Sequence, residues 1–232
     1  SEVNPQAIGD SKIIANPNCS TMGMLVAVKP LYDNFGVKRI DVSTYQAVAG
    51  AGKKAISCLS KQTMDMIHMR EIKEEDYAPF PCQIAFNLIP QIGDFTDNGY
   101  TTEEMKMVNE TCKILADDAI GVNATCVRAP VFYGHSMTVR LELATSDWTI
   151  EQVRNALDAA PGLTVLDEHC DNGYPTPMSE GGGKDDVYVG RLRRDVSDKK
   201  SVNFWLVSDS LRKGAALNSV QIAELALEQD KV

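Results

Sequence analysis

At 232 residues, 44% of them hydrophobic and 24% charged, the chain has the composition of a globular protein long enough to bury a sizeable core. Its 23 basic against 32 acidic residues give a formal charge of -9, and no basic patch is segregated from the rest, which argues against a nucleic-acid partner. No stretch nears the roughly 20 apolar residues of a membrane span, the first residues lack a signal-peptide pattern, and the six cysteines are scattered without zinc-ligand spacing, so a cytoplasmic protein with reduced thiols, no membrane partner and no metal is expected.

In chain order, residues 1–16 read as turns and one short strand, like the tail of an upstream unit. A helix is predicted over 20–34 and a strand over 37–48; "GAGKKAISCLSKQTMDM" reads as a second helix, and an acidic loop then leads to a strand over 82–90. Helix 101–118 is marked by Thr101 and Glu104 in capping-box spacing and by Met105, Val108, Cys112 and Leu115 at helical intervals. Strands follow at 124–133 and 136–145, where Met137, Val139, Leu141 and Leu143 alternate with Thr138, Arg140 and Glu142. Thr149 and Gln152 cap another helix, which Pro161 and Gly162 stop. A mobile polar loop over 167–186 leads to strands at 187–194 and 202–208, and an amphipathic helix is predicted over 211–229. Strands beside strands with helices between them predict an α+β fold, a mixed and largely antiparallel sheet covered by helices on one face.

Cys19 falls between a strand-like and a helix-like run. At a helix N-terminus the unpaired N–H groups and the macrodipole favour thiolate, but cysteine is also a small apolar residue common in cores, and spacing leaves both readings open. "YQAVAGAGKKA" holds Gly50, Gly52 and Ala55 in a GxGxxA arrangement that superficially matches a dinucleotide fingerprint, yet the preceding strand carries Asp41, Ser43 and Gln46 and is not continuously apolar. Glu103, Lys106, Glu110, Lys113 and Asp117 share a stripe of the kind that is usually a solvated helix face. Arg128 and His135 differ by an odd number of positions and would face opposite ways on an unbroken strand; Pro130 and Gly134 offer the break that lets them converge.

Together these stretches resemble aspartate-semialdehyde dehydrogenase. The resembling blocks are "NPNCST", "TYQAVAGAGKKA", "AFNLIPQIGDF", "YTTEEMKMVNETCKIL", "CVRAPVFYGHS", "DVYVGRLRRD" and "LRKGAALNSVQIAE", in the family's order over nearly the whole chain. The resemblance implies a glyceraldehyde-3-phosphate-dehydrogenase-like C-terminal domain that forms a homodimer. It also implies NADPH-dependent reduction of β-aspartyl phosphate to the semialdehyde through a cysteine thioester, in the biosynthesis of lysine, methionine and threonine. By the same resemblance Cys19 is the nucleophile, His135 the general acid/base and Gln46 the glutamine that orients the substrate. Arg128 grips the substrate carboxylate, Glu103 contacts its amine, Lys106 binds phosphate, and Asn18 belongs to the substrate site. Ala49, where the family usually has serine, with Gly50, Ala51, Gly52 and Asn218, faces the NADP cofactor.

The resemblance further divides the chain into residues 1–16, the end of a nucleotide-binding domain; 17–210, the catalytic and dimerisation domain; and 211–232, a helix that packs back on that first domain. The family's nucleotide-binding glycine loop and phosphate-binding arginine are not found in these 232 residues, so weak NADP binding and little turnover are expected of the chain alone. An N-acetyl-glutamyl-phosphate reductase and a non-catalytic dimerisation module are the competing readings.

Overall fold

The computed structural model describes residues 1–9 and 11–228; positions 229–232, the end of the predicted last helix and segment, lie outside the described residues. Its centre is a six-stranded sheet in the order β2-β1-β3-β6-β5-β4. The strands are β1 (Val37–Gln46), β2 (Gly121–Arg128), β3 (His135–Leu143), β4 (Leu163–Val165), β5 (Val187–Arg194) and β6 (Ser201–Ser208). β1 pairs with β2, and β4 with β5, in parallel; the three central pairings, β1 with β3, β3 with β6 and β6 with β5, are antiparallel. The sheet is therefore mixed and largely antiparallel, as its sequence pattern predicts.

The period-two pattern of β3 decides which face is covered. Met137, Val139, Leu141 and Leu143 are buried with Ile40, Val42, Phe204 and Leu206 in the main core, while Thr138 is exposed. Helix α1 (Cys19–Phe35) lies on that apolar face together with α3 (Thr102–Leu115) and α4 (Ile150–Asp158). The run from Ser20 to Val28 in α1 is buried throughout, which marks a helix enclosed on several sides rather than a surface helix. Burying Leu25, Val28 and Leu31 there contributes roughly 1.5–3 kcal/mol each. On the opposite face Arg140 reaches Asp41, Asp195 and Asp198, and the Tyr45 and Trp205 rings stand 5.9 Å apart.

Both predicted capping boxes are present: Thr101 with Glu104 starts α3, and Thr149 with Gln152 starts α4. Four expectations need correction. The stretch 82–90 is not a strand; Phe86 sits at φ 57°, and Ile84, Ala85 and Ile89 instead complete a small second core with α2 (Lys53–Ile67), leaving a single bridge between Ile89 and Arg128. The predicted strand over 124–133 begins earlier and stops at Arg128, because it pairs in parallel with β1 and then turns away through Pro130. The predicted final helix opens with a π-turn, Arg212–Ala216, before α5 (Leu217–Glu228), and the three-residue β4 has no sequence signal of its own. The loop 167–186 is also tied down: Gly183 N–H donates to Asp209, and Trp205 Nε1 donates to the Pro175 carbonyl. Gly134 and Gly181 meet there so closely that a Cβ on Gly134 would lie 2.4 Å from the Gly181 Cα, an approach only glycine permits.

Candidate active site

The strand ends β1, β2 and β3 and the N-terminus of α1 meet at one edge of the core, and the predicted residues gather there. Asn18 caps α1, its Oδ1 accepting from the N–H groups of Ser20 at 2.9 Å and Thr21 at 3.2 Å. Cys19 is thereby the first helical residue, and its own N–H has no acceptor among the described residues. Its sulfur lies 3.2 Å from Nε2 of His135, the first residue of β3. Arg128, the last residue of β2, approaches from the other side of β1. A Cβ on Gly50 would stand 3.1 Å from Cε1 and 3.2 Å from Nε2 of His135 and 3.4 Å from Nη1 of Arg128, so both side chains lie against the same patch of backbone. The odd spacing of Arg128 and His135 thus resolves as the ends of two strands that flank β1 and are joined by a loop.

Glu103 joins the remaining groups. Its Oε1 accepts from Asn18 Nδ2 at 2.8 Å and from Gln46 Nε2 at 3.3 Å, and Lys106 Nζ lies 3.4 Å from its Oε2. Glu110 accepts from the Asn18 backbone N–H at 2.8 Å. The charged stripe of α3 is therefore turned toward α1 at Glu103 and Glu110, while Lys106 and Lys113 are exposed, which corrects the reading of a wholly solvated face. Of the loop expected to meet a cofactor, Ala49 is buried, while Gly50, Ala51 and Gly52 are exposed and carry at most a methyl group. Asn218 stands apart from the cluster. Its amide donates to Asn16 at 2.6 Å, and its Oδ1 lies near the ammonium of Lys213.

Two positions that the sequence leaves without a role shape the site. Ala47 donates its N–H to His135 Nδ1 at 3.0 Å and accepts from Arg128 Nη1 at 2.9 Å through its carbonyl. Gly214, in the π-turn, comes so close to the start of α1 that a Cβ on it would lie 2.8 Å from that of Cys19. Backbone contacts leave no mark on composition; a glycine inside a helical pattern is the only signal that pointed to either.

The electrostatics follow from enclosure. Burial, and then the carboxyl of Glu103, push the Cys19 thiol up to about 11. Burial, and then the Arg128 guanidinium, hold the His135 imidazole down to about 3. Burial also lowers Arg128, whose remaining N–H groups have no acceptor among the described residues. A neutral thiol beside a neutral imidazole, with guanidinium donors free, is an arrangement that receives an anion and attacks a carbonyl carbon next to it.

The family described as semialdehyde dehydrogenase, dimerisation domain, matches residues 28–213. Aspartate-semialdehyde dehydrogenase of Shewanella violacea is 52% identical over 229 residues, a match covering 97% of this chain and 66% of that protein. The enzyme of the same name from Aquifex aeolicus is 50% identical over 232 residues, covering 98% and 67%. A crystal structure of aspartate semialdehyde dehydrogenase II from Vibrio cholerae, complexed with ASA, superposes with a TM-score of 0.92 at 49% identity and covers 98% of this chain and 66% of that one. The chain thus spans about two thirds of the length of the relatives it matches.

Proposed function

Since the chain belongs to the family of semialdehyde dehydrogenase dimerisation domains, we propose that it supplies the catalytic and dimerising part of an aspartate-semialdehyde dehydrogenase, which reductively dephosphorylates β-aspartyl phosphate to aspartate semialdehyde. The observation that carries this reading is the 3.2 Å approach of Cys19 Sγ to His135 Nε2, with Arg128 set against the same Gly50.

In this reading Arg128 holds the substrate carboxylate through its unpartnered N–H groups, and Glu103 meets the amine where Asn18 and Gln46 orient it. Lys106, exposed one turn further along the same helix, gives the departing phosphate a point charge. The sulfur of Cys19 attacks the acyl carbon, the C–O bond to phosphate breaks, and a thioester forms. The open Cys19 N–H is placed to receive the oxyanion of that step, and His135 serves the sulfur as it gains and loses charge. The exposed, nearly side-chain-free backbone of Gly50, Ala51 and Gly52 beside His135, with the neighbouring Ala49, would suit a flat nicotinamide ring, whereas Asn218, which contacts Asn16 and Lys213, would serve the cofactor only away from that loop. When bound there, NADPH would supply the hydride equivalent for reduction of the acyl group. The sheet face that bears Arg140, Tyr45 and Trp205 supports a homodimer, and sedimentation at micromolar concentration tests that with a twofold mass.

Thioester formation needs no reductant, so it tests the reaction directly. Incubation with β-aspartyl phosphate is expected to add one aspartyl group at Cys19, seen by intact mass and removed by hydroxylamine, with none added to Cys19→Ser. A wild-type mass that stays unchanged while phosphate is not released would sink the proposal.

A further inference from the structure

We propose that Asp209 is a positioning residue for the acyl-transfer site: its carboxylate fixes both the backbone that seats Cys19 and the loop that backs the start of β3 at His135. The catalytic meaning deepens the function proposed above and rests on it; the placement of the two side chains does not.

Asp209 follows Ser208, the β6 residue that pairs with His135 in the sheet, and is 5% exposed. β6 ends there and the chain enters the π-turn. Four N–H groups converge on this one residue. Its Oδ1 accepts from Leu211 at 2.7 Å and from Arg212 at 2.9 Å, its Oδ2 accepts from Gly183 at 2.7 Å, and its main-chain carbonyl accepts from Gly214 at 2.9 Å. The side chain thus uses both oxygens, one for the π-turn and one for the loop 167–186, as only an acceptor on each side allows.

The first set of contacts reaches Cys19. Amide groups at the entry to a helical turn have no carbonyl one turn earlier, and Asp209 Oδ1 supplies the acceptor for Leu211 and Arg212. Gly214 is bonded to Asp209 and Ala216 to Leu211, each five residues back, so the turn keeps its π spacing. That spacing sets Gly214 where a Cβ would lie 2.8 Å from Cβ of Cys19 and 3.3 Å from the Asp209 carbonyl oxygen. The second set reaches His135. Gly183 closes the loop on Asp209 and Trp205 holds it at Pro175. Between these two ties Gly181 packs on Gly134, the residue before His135, which sits at φ 81°. An exposed ion pair of Arg212 with Asp185 spans the same two segments, but solvent screening leaves such a pair weak beside a buried carboxylate with three donors. The groups proposed to hold substrate are anchored elsewhere: Arg128 on Ala47, and Glu103 on Asn18 and Gln46. Loss of the Asp209 carboxylate should therefore slow attack by the sulfur without weakening binding.

Asp209→Ala and Asp209→Asn test this, with Asp185→Ala as the control for the exposed pair. Asparagine keeps one oxygen for Leu211 and Arg212 and sets an amide donor against the Gly183 N–H, whereas alanine loses all three side-chain contacts. The limiting rate of burst phosphate release from β-aspartyl phosphate should fall roughly 100-fold in Asp209→Ala and about tenfold in Asp209→Asn, at an unchanged half-saturating concentration. Asp185→Ala should match the parent. A parent-like rate in Asp209→Ala, or a loss carried by half-saturation, would overturn the proposal; if the alanine variant does not fold, a parent-like rate in Asp209→Asn does so. Nitrogen NMR of the chain labelled with 15N throughout gives a reading that needs no substrate. The Gly183 amide should exchange faster in both variants, and the Leu211 and Arg212 amides only in Asp209→Ala. The imidazole signals of His135, assigned by elimination with variants of the exposed His68 and His169, should shift in both. A parent that forms no thioester defeats the acyl-transfer reading alone, whereas His135 signals unmoved in both variants defeat the positioning role itself.

Discussion

A methyl group at position 214 would lie 2.8 Å from Cβ and 3.3 Å from Cα of Cys19, both parts of a helix that cannot move aside. The π-turn is thus a backbone seat for Cys19, and under the proposed reaction Gly214→Ala is expected to displace the sulfur from His135 and lower the rate of thioester formation by roughly 100-fold, the usual effect of a shift of about 1 Å at a reacting atom. Burst measurements of phosphate release check this, with the urea midpoint as control for folding. The buried imidazole makes a separate prediction. An unfolded His135 binds a proton near its ordinary value of about 6.5, while the folded one resists protonation until about pH 3. Between those values the unfolded state holds more protons, so stability is fullest above about pH 6.5 and falls as pH drops toward 3. Urea midpoints should fall over that window in the wild type and fall less in His135→Gln. Cys19, Arg128 and His135 were legible in the sequence as residue types suited to acyl chemistry, but their meeting was legible only through the resemblance. The contacts that set them, from Ala47 and Gly214, are made by backbone, which the sequence does not display.

The helix α3 shows why element ends are easier to read than element faces. Thr101 and Glu104 announce the N-terminus through local hydrogen bonding, and the structure has both halves of the box, with Glu104 Oε2 accepting from Thr101 N–H at 2.7 Å. The apolar spacing, however, pointed to Met105, Val108, Cys112 and Leu115 as the inner face, while the most buried positions are Glu103, Glu104, Met107 and Thr111. Periodicity assumes that burial follows hydrophobicity, and here two carboxyl groups are buried because they are hydrogen-bonded: Glu103 to the site, and Glu104 Oε1 to the Cys126 N–H at 2.9 Å. The same assumption produced the unfounded strand over 82–90, whose apolar residues serve a local core with α2. Glu104 accordingly stitches the helix that carries Glu103 and Lys106 to the strand that carries Arg128. Glu104→Ala strands the buried N–H groups of Thr101 and Cys126 and is expected to cost about 3 kcal/mol. Thr101→Ala, which loses only the reciprocal cap, should cost about 1 kcal/mol. Urea midpoints at unchanged m-value check both.

Across the whole molecule, the first residues and the π-turn with its following helix meet behind Cys19. Lys213, 1% exposed and next to Gly214, places its ammonium on both carboxylate oxygens of Glu2 and 2.8 Å from Gln221 Oε1. Although burial opposes it, hydrogen bonding and charge from Lys213 hold the Glu2 carboxyl below its ordinary value. The pair's contribution is therefore present above the unfolded carboxyl's titration and is lost as pH falls through the folded one. Which of two energies dominates decides what mutation does. Removing one partner leaves a charge with little water, whereas removing both leaves only a change of shape and packing. Glu2→Gln, which orphans the almost fully buried ammonium, is expected to cost about 3 kcal/mol. Lys213→Met, which orphans a carboxyl that retains some access to water, should cost less. The double variant Glu2→Leu, Lys213→Met should recover to within about 1 kcal/mol of the parent, so its effect falls well short of the sum of the single ones. Urea midpoints of the parent and variants measure that coupling directly. Strictly additive losses would mean that the pair is held by packing of its alkyl stems alone. The alkylation rate of Cys19 in the same variants reports whether the charge pair or its hydrocarbon holds the π-turn against that residue: it should drop in Glu2→Gln and return in the double variant.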